Sequence, residues 1–128
     1  LRERPSLLLR LRGGDLNLLR DYAKLCEFYH VKPHPSVLFA LRWKLGHIHP
    51  SRRDGSTRAF RDHDLLPLTD LLLQPGASHV TSLSFRGCRL RGSGALMLAR
   101  LIALSPNLRS VDLTGNKRGP EASRVAFG

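Results

Sequence analysis

The sequence predicts an α/β chain: a fragment of a repeat array with short parallel strands and outer helices, preceded by an N-terminal helical cap. Three observations predict it. From Val80 to Arg118 one pattern occurs twice at a fixed spacing, first as VTSLSFRGCRL and then as LRSVDLTGNKR. Between the copies, GSGALMLARLIAL has its apolar residues at helical spacing, so a strand and a helix together fill the repeat. Ahead of the repeats, two further helical patterns are punctuated by Pro33, Pro35 and Gly46.

Superimposing the copies places Val80 on Leu108, Leu83 on Val111, Phe85 on Leu113 and Cys88 on Asn116. Leu83 and Phe85 alternate with Ser82, Ser84 and Arg86, the period of a strand with one buried face and one wet face. Cys88 and Asn116 then suit a buried turn, where a small side chain pairs with backbone groups that no ladder satisfies. In the helix that follows, Ser93 is the expected cap, and Leu98, Leu101, Ile102 and Leu104 are expected to face the strands.

Strand, turn and helix in this order resemble the ribonuclease-inhibitor type of leucine-rich repeat, whose pattern LxxLxLxxC/NxL is followed by GAxxLaxxL. The resemblance covers residues 57–124 and departs from the pattern at Arg118, which stands where the first copy has Leu90. It implies a solenoid fragment: a lead-in unit and two repeats, the last incomplete. Such an array needs about three repeats before stacking buries a continuous core. With Leu at position 1, the chain is expected to be a fragment, a processed product or the start of a longer array.

Three segments follow from this reading. Residues 1–14 end in LRLRGG, and SLLLRLRGG resembles the last strand and tail of a ubiquitin-like domain; the plainer reading is a Leu/Arg strand with a glycine linker. On the first reading Gly13 and Gly14 form a processing site, since a narrow protease channel excludes side chains there. Residues 15–56 form the cap and a basic loop. Leu18, Tyr22, Leu25, Cys26 and Tyr29 share one helical face, with Asp15 or Asn17 as cap. A second helix starts near Pro35, buries Val37, Leu38, Leu41 and Leu45, and ends at Gly46. These helices resemble the lead-in helices of several ribonuclease-inhibitor-type proteins, centrosomal and ciliary ones among them. The polar run 47–58 reads as a loop. Residues 57–128 hold the repeats, with a degenerate first strand at Thr57 to Phe60 and Asp64 capping the helix LLPLTDLLL.

The formal net charge of +11 rests on 17 Arg and 4 Lys against 10 acidic residues. Such a balance favours acidic partners, namely an acidic protein surface or nucleic acid, although a compositional bias towards Arg would produce the same excess. Two cysteines make neither a disulfide framework nor a zinc set, and a reducing, intracellular compartment is expected; cytoplasm, nucleus and centrosome or cilium are left open. No apolar run reaches the roughly 18–20 residues of a spanning helix, so no membrane partner is expected. His30 with His34, and His47 with His49, are interrupted or followed by proline and lack further ligands, so they read as solvated loop residues. No metal or other cofactor is expected. Ser93 lacks the nucleophile-elbow spacing and neither cysteine has a neighbouring histidine, so no catalytic set is found and no enzyme activity is expected.

What remains is surface. The leucine-rich-repeat resemblance implies that outward strand residues stack, setting Ser82, Ser84 and Arg86 beside Ser110, Asp112 and Thr114 as a protein-binding ladder. Arg89 and Lys117, separated by the same spacing as the two copies, would stack along a basic rim near Arg91. The expected function is a protein–protein interaction module or scaffold within a larger protein or assembly. The rival is a basic structural subunit associated with nucleic acid or a ribonucleoprotein. RNA recognition usually adds stacking aromatics, and most aromatic residues here fall at positions expected to be buried.

Overall fold

The computed structural model describes residues 18–50 and 59–116. Among these, the elements in chain order are α1 (Leu18–Tyr29), α2 (Pro35–Arg42), β1 (His47–Ile48), α3 (Leu65–Leu72), β2 (Ser82–Ser84), α4 (Gly92–Leu104) and β3 (Ser110–Asp112). Single 3-10 turns at Asp62–Asp64 and Pro75–Ala77 flank α3. The strands form one parallel sheet in the order β1-β2-β3, so each strand lies beside its sequence neighbour with a helix between them in the chain. The result is a mixed α/β fold.

The two cap helices form as their patterns require. Leu18, Tyr22, Leu25 and Cys26 of α1 are buried and Tyr29 is half-buried. The helix stops because His30 enters the left-handed region (φ 56°), which lets Val31 N–H donate to Cys26 O at 2.9 Å and His30 N–H to Glu27 O at 3.2 Å. His34 starts α2 as its N-cap, its Nδ1 accepting from Ser36 N–H at 3.2 Å, with Pro35 in the first turn. Gly46 does not end this helix. Lys44 takes the left-handed position (φ 50°) and Leu45 N–H closes onto Ala40 O at 2.9 Å, the same motif as in α1 without a glycine. Leu45, expected in the buried stripe, is 39% exposed because it lies beyond the helix.

The first strand is the largest correction. It lies at His47–Ile48, inside the stretch expected to be a loop; of the stretch Thr57 to Phe60 expected to hold it, Thr57 and Arg58 lie outside the described residues, and Ala59 and Phe60 are not in a strand. Ile48, fully buried, faces Leu83, and the Gly46 carbonyl accepts from Thr81 N–H at 2.9 Å and from Ser82 N–H at 3.2 Å. Downstream the spacing of the repeats returns: Arg61 bridges Arg89, and Arg89 N–H donates to Phe60 O at 2.9 Å.

The two expected caps fare differently. Asp64 is the N-cap residue of α3 as expected, but its side chain does not bond to the helix; Oδ2 turns back to accept from Arg61 N–H at 2.8 Å. Ser93 lies inside α4, whose N-cap is Arg91. The capping carboxylate comes from the preceding unit, where Asp62 accepts from Arg91 N–H at 2.8 Å through Oδ1 and from the Ser93 hydroxyl through Oδ2. Gly94 is the consequence of that approach: a Cβ there would sit 2.5 Å from Asp62 Oδ1 and 3.0 Å from its Cγ.

One core joins the four described helices to the sheet, including Tyr22, Leu25, Val37, Leu41, Ile48, Leu65, Leu68, Leu71, Leu83, Phe85, Leu98 and Leu101. Each such side chain contributes about 1.5–3 kcal/mol on leaving water. Leu104 does not join it; 64% exposed, it falls off the buried face that Leu98 and Leu101 define, and Ile102 is only partly buried.

Candidate interaction surface

The turn after each strand fixes where the polar strand residues end up. Gly87 and Gly115, at equivalent places in successive units, both adopt positive φ (69° and 80°), a conformation that glycine takes without strain. After the second of these turns Asn116 works in both directions. Its Oδ1 accepts from Leu90 N–H at 2.9 Å, and its Nδ2 donates to Phe85 O and Leu113 O, each at 2.8 Å. At the equivalent place Cys88 donates its thiol to Pro50 O at 3.1 Å. Burial, and secondarily the charge of Asp64, push that thiol from the ordinary 9.0 up to about 12. One unit earlier the place is held by Phe60, buried between His34 and Phe85 with ring centroids 5.3 and 5.2 Å away.

On the sheet face opposite Ile48 and Leu83, the strand register sets His47 beside Ser82 and Ser82 beside Ser110, while Ser84 pairs with Asp112. His47 Nδ1 and Ser82 Oγ lie 2.6 Å apart, and the rings of His47 and His49 are 5.9 Å apart. Asp112 is held below its ordinary carboxylate range, first by the Thr114 hydroxyl and then by Thr114 N–H at 2.9 Å, with Arg86 and His49 adding attraction. Of the six ladder residues, Arg86, Ser110 and Thr114 are exposed and Ser82 and Asp112 are half-buried. Ser84 is buried, contrary to the wet face expected for it. It pairs with Asp112, which is within electrostatic reach of both Arg86 and His49.

His47 and His49 are the surface residues that pattern reading missed. The signal was present, since His-Ile-His alternates polar, apolar and polar with the period of a strand, but a two-residue strand is too short to stand out among the turn-forming residues around it. His47 is a strand residue and His49 directly follows the strand, while His34 is fully buried as a helix cap. Among the described residues there is no cluster of three or more His, Cys, Asp or Glu side chains arranged to hold a metal ion.

The basic rim gains a member and loses one from view. Arg89 and Arg91 are exposed, and Arg61 lies directly beside Arg89 through their bridge, also exposed. Lys117 lies outside the described residues, as do Gly13 and Gly14. On the helical side, a cleft of about 240 Å³ opens between α1, α3 and α4, lined by Tyr29, Thr69, Asp70, Met97, Arg100 and Leu104, among others. The Tyr29 hydroxyl donates to the Asp70 carboxylate there. No helix among the described residues is long and apolar enough to cross a membrane.

Compared with protein-family models, with curated proteins and with solved structures, the chain finds no significant match.

Proposed function

We propose that the chain is a leucine-rich-repeat module with a helical cap, a solenoid fragment that acts as a non-catalytic protein-interaction scaffold. The observation that carries this reading is the registered polar face, on which Ser82, Ser84 and Arg86 of one unit stand beside Ser110, Asp112 and Thr114 of the next, and β1 adds His47 and His49. The asparagine and cysteine turns support the repeat assignment. A side chain that satisfies strand-end backbone groups at one fixed place per unit is what a stacked array needs where no ladder reaches.

An acidic protein surface is the partner this face fits best, because Arg86 projects from it and Arg61, Arg89 and Arg91 border it. The partner is found by placing a photo-crosslinking side chain at Ser110 and, as a control, at the exposed Ala99 on α4. The expected result is a protein adduct specific to position 110, whose binding weakens when Arg86 and Arg89 are both changed to Glu while the circular dichroism is unchanged. Adducts at position 99 alone would place the interface on the helices.

The rival reading, a basic subunit associated with nucleic acid, is favoured by the side-by-side exposed pair Arg61 and Arg89. Salt separates the two. Binding through phosphates weakens steeply with salt because counterions are released, whereas a protein interface centred on apolar contacts does not.

A further inference from the structure

Tyr22, Phe60 and Phe85 are buried and Phe28 and Tyr29 half-buried, whereas Phe39 is 56% exposed and Trp43 is 62% exposed. The two rings stand one helical turn apart at the C-terminal end of α2, and residues at that spacing share one helical face. Val37, Ala40 and Leu41 occupy the buried face, so the rings project on the other side. Their backbone is fixed: Trp43 N–H donates to Phe39 O at 3.2 Å, and the left-handed turn at Lys44 locks Leu45 onto Ala40.

Exposed cations flank the rings. Arg42 lies with its guanidinium carbon 5.9 Å from the Trp43 ring centroid, and Lys44 follows directly. They also offset the negative partial charge of the helix C-terminus, which would otherwise repel an anion. We propose that Phe39, Arg42, Trp43 and Lys44 form a stacking platform for single-stranded nucleic acid, which binds bases by their faces without reading their sequence. This site lies on α2 and does not depend on the protein-binding role assigned to the sheet face.

Three kinds of partner cover exposed rings between cations: an acidic peptide, an anionic bilayer and a nucleic acid. The formal charge of +11 selects a polyanion. Among polyanions, a single strand alone offers a flat π face beside each phosphate. Rings that project from a helix end present flat faces rather than a pocket for an anchoring side chain. Stacking of this kind tolerates any base, because every base has a π face. Stacking needs exposed aromatic residues, and among the described residues Phe39 and Trp43 are the exposed rings, at positions outside the expected buried stripe of Val37, Leu38, Leu41 and Leu45.

Trp43 is the single tryptophan of the chain, so its intrinsic fluorescence reports this site directly. The full chain is titrated at low salt with a twelve-nucleotide oligothymidylate, following both Trp43 emission and the anisotropy of a labelled copy. Emission should be quenched along the same isotherm as the anisotropy rises, and both changes should reverse with added salt. Trp43→Ala should weaken binding roughly 5- to 150-fold, Phe39→Ala less, and Trp43→Phe least, with unchanged circular dichroism for all three. Binding with unaltered Trp43 emission and no loss in Trp43→Ala would mean that the guanidinium groups elsewhere hold the phosphates, and would overturn the proposal. So would absence of binding at low salt. Equal quenching by polyglutamate, or by vesicles containing phosphatidylglycerol, would assign the rings to an acidic peptide or to a membrane surface and overturn it as well.

Discussion

Between β2 and β3 the register offset is 28, since Ser82 faces Ser110, whereas between β1 and β2 it is 35, since His47 faces Ser82. By Arg61, which faces Arg89, the offset is again 28. The extra length of chain therefore enters between Ile48 and Arg61, after the strand and before the helix of the lead-in unit. Between β2 and β3, and again at the bridge of Arg61 to Arg89, the spacing of the sequence pattern is kept. The difference in offset explains the misplaced first strand, because the shorter offset, counted back from Phe85, arrives at Thr57, whereas the strand at His47–Ile48 obeys the longer one.

The turns differ in the same direction. Asn116 serves three backbone groups, Cys88 donates its thiol to Pro50 O, and Phe60, next to the insertion, substitutes ring packing for hydrogen bonding. Towards the cap the unit relies progressively on burial. Towards the repeats it relies on satisfied backbone.

Leu83 belongs to both registers, facing Ile48 on one side and Val111 on the other, and is 1% exposed. Leu83→Asp puts an unpaired charge where the two offsets meet and should cost about 4 kcal/mol or more. Thermal and urea melts followed by circular dichroism measure it, and a parent-like midpoint would dissolve the shared core on which the comparison stands.

Gly94→Ala tests how closely the lead-in unit meets the first full repeat. Helix propensity alone favours alanine by about 1 kcal/mol. The added methyl, however, would press on an Asp62 carboxylate whose two oxygens are both engaged, so a net loss of about 1–3 kcal/mol is expected. In an Asp62→Ala background the same change should become neutral or stabilising. If the two substitutions are additive, the carboxylate is not what excludes the side chain.

The turns themselves give the smallest and most discriminating effects. Asn116→Ala strands Leu90 N–H and two carbonyls, with an expected loss of about 1–3 kcal/mol, whereas Cys88→Ala should lose about 1 kcal/mol. The two also differ in pH dependence. The folded-state pKa of Cys88 is raised from 9.0 to about 12, so its stabilising contribution is complete below pH 9 and declines as pH rises from 9 towards 12, where the unfolded chain ionises first. Urea midpoints of the parent should therefore fall more steeply over that window than those of Cys88→Ala, while Asn116→Ala should retain the parent's slope. Parallel slopes for parent and Cys88→Ala would show a thiol that titrates freely.

Local pattern alone determined the α/β class, the four helices and the strand pair at Ser82 and Ser110, because apolar periodicity reports which face of a segment is buried. The row of Ser82, Ser84 and Arg86 beside Ser110, Asp112 and Thr114 was implied by the resemblance to a leucine-rich repeat, and the register sets Ser82 beside Ser110 and Ser84 beside Asp112. Only the tertiary structure decided the rest. A two-residue strand has too little pattern to be seen, and Ile48 joins one by lying against Leu83. The burial of Ser84 and the approach of the Asp62 carboxylate to Gly94 both depend on segments distant in the chain. Phe39 and Trp43 fall outside the stripe expected to be buried, but only the structure gives the extent of their exposure. They are outside because α2 lays Val37, Ala40 and Leu41 against the core, and so short a helix has only one face to bury.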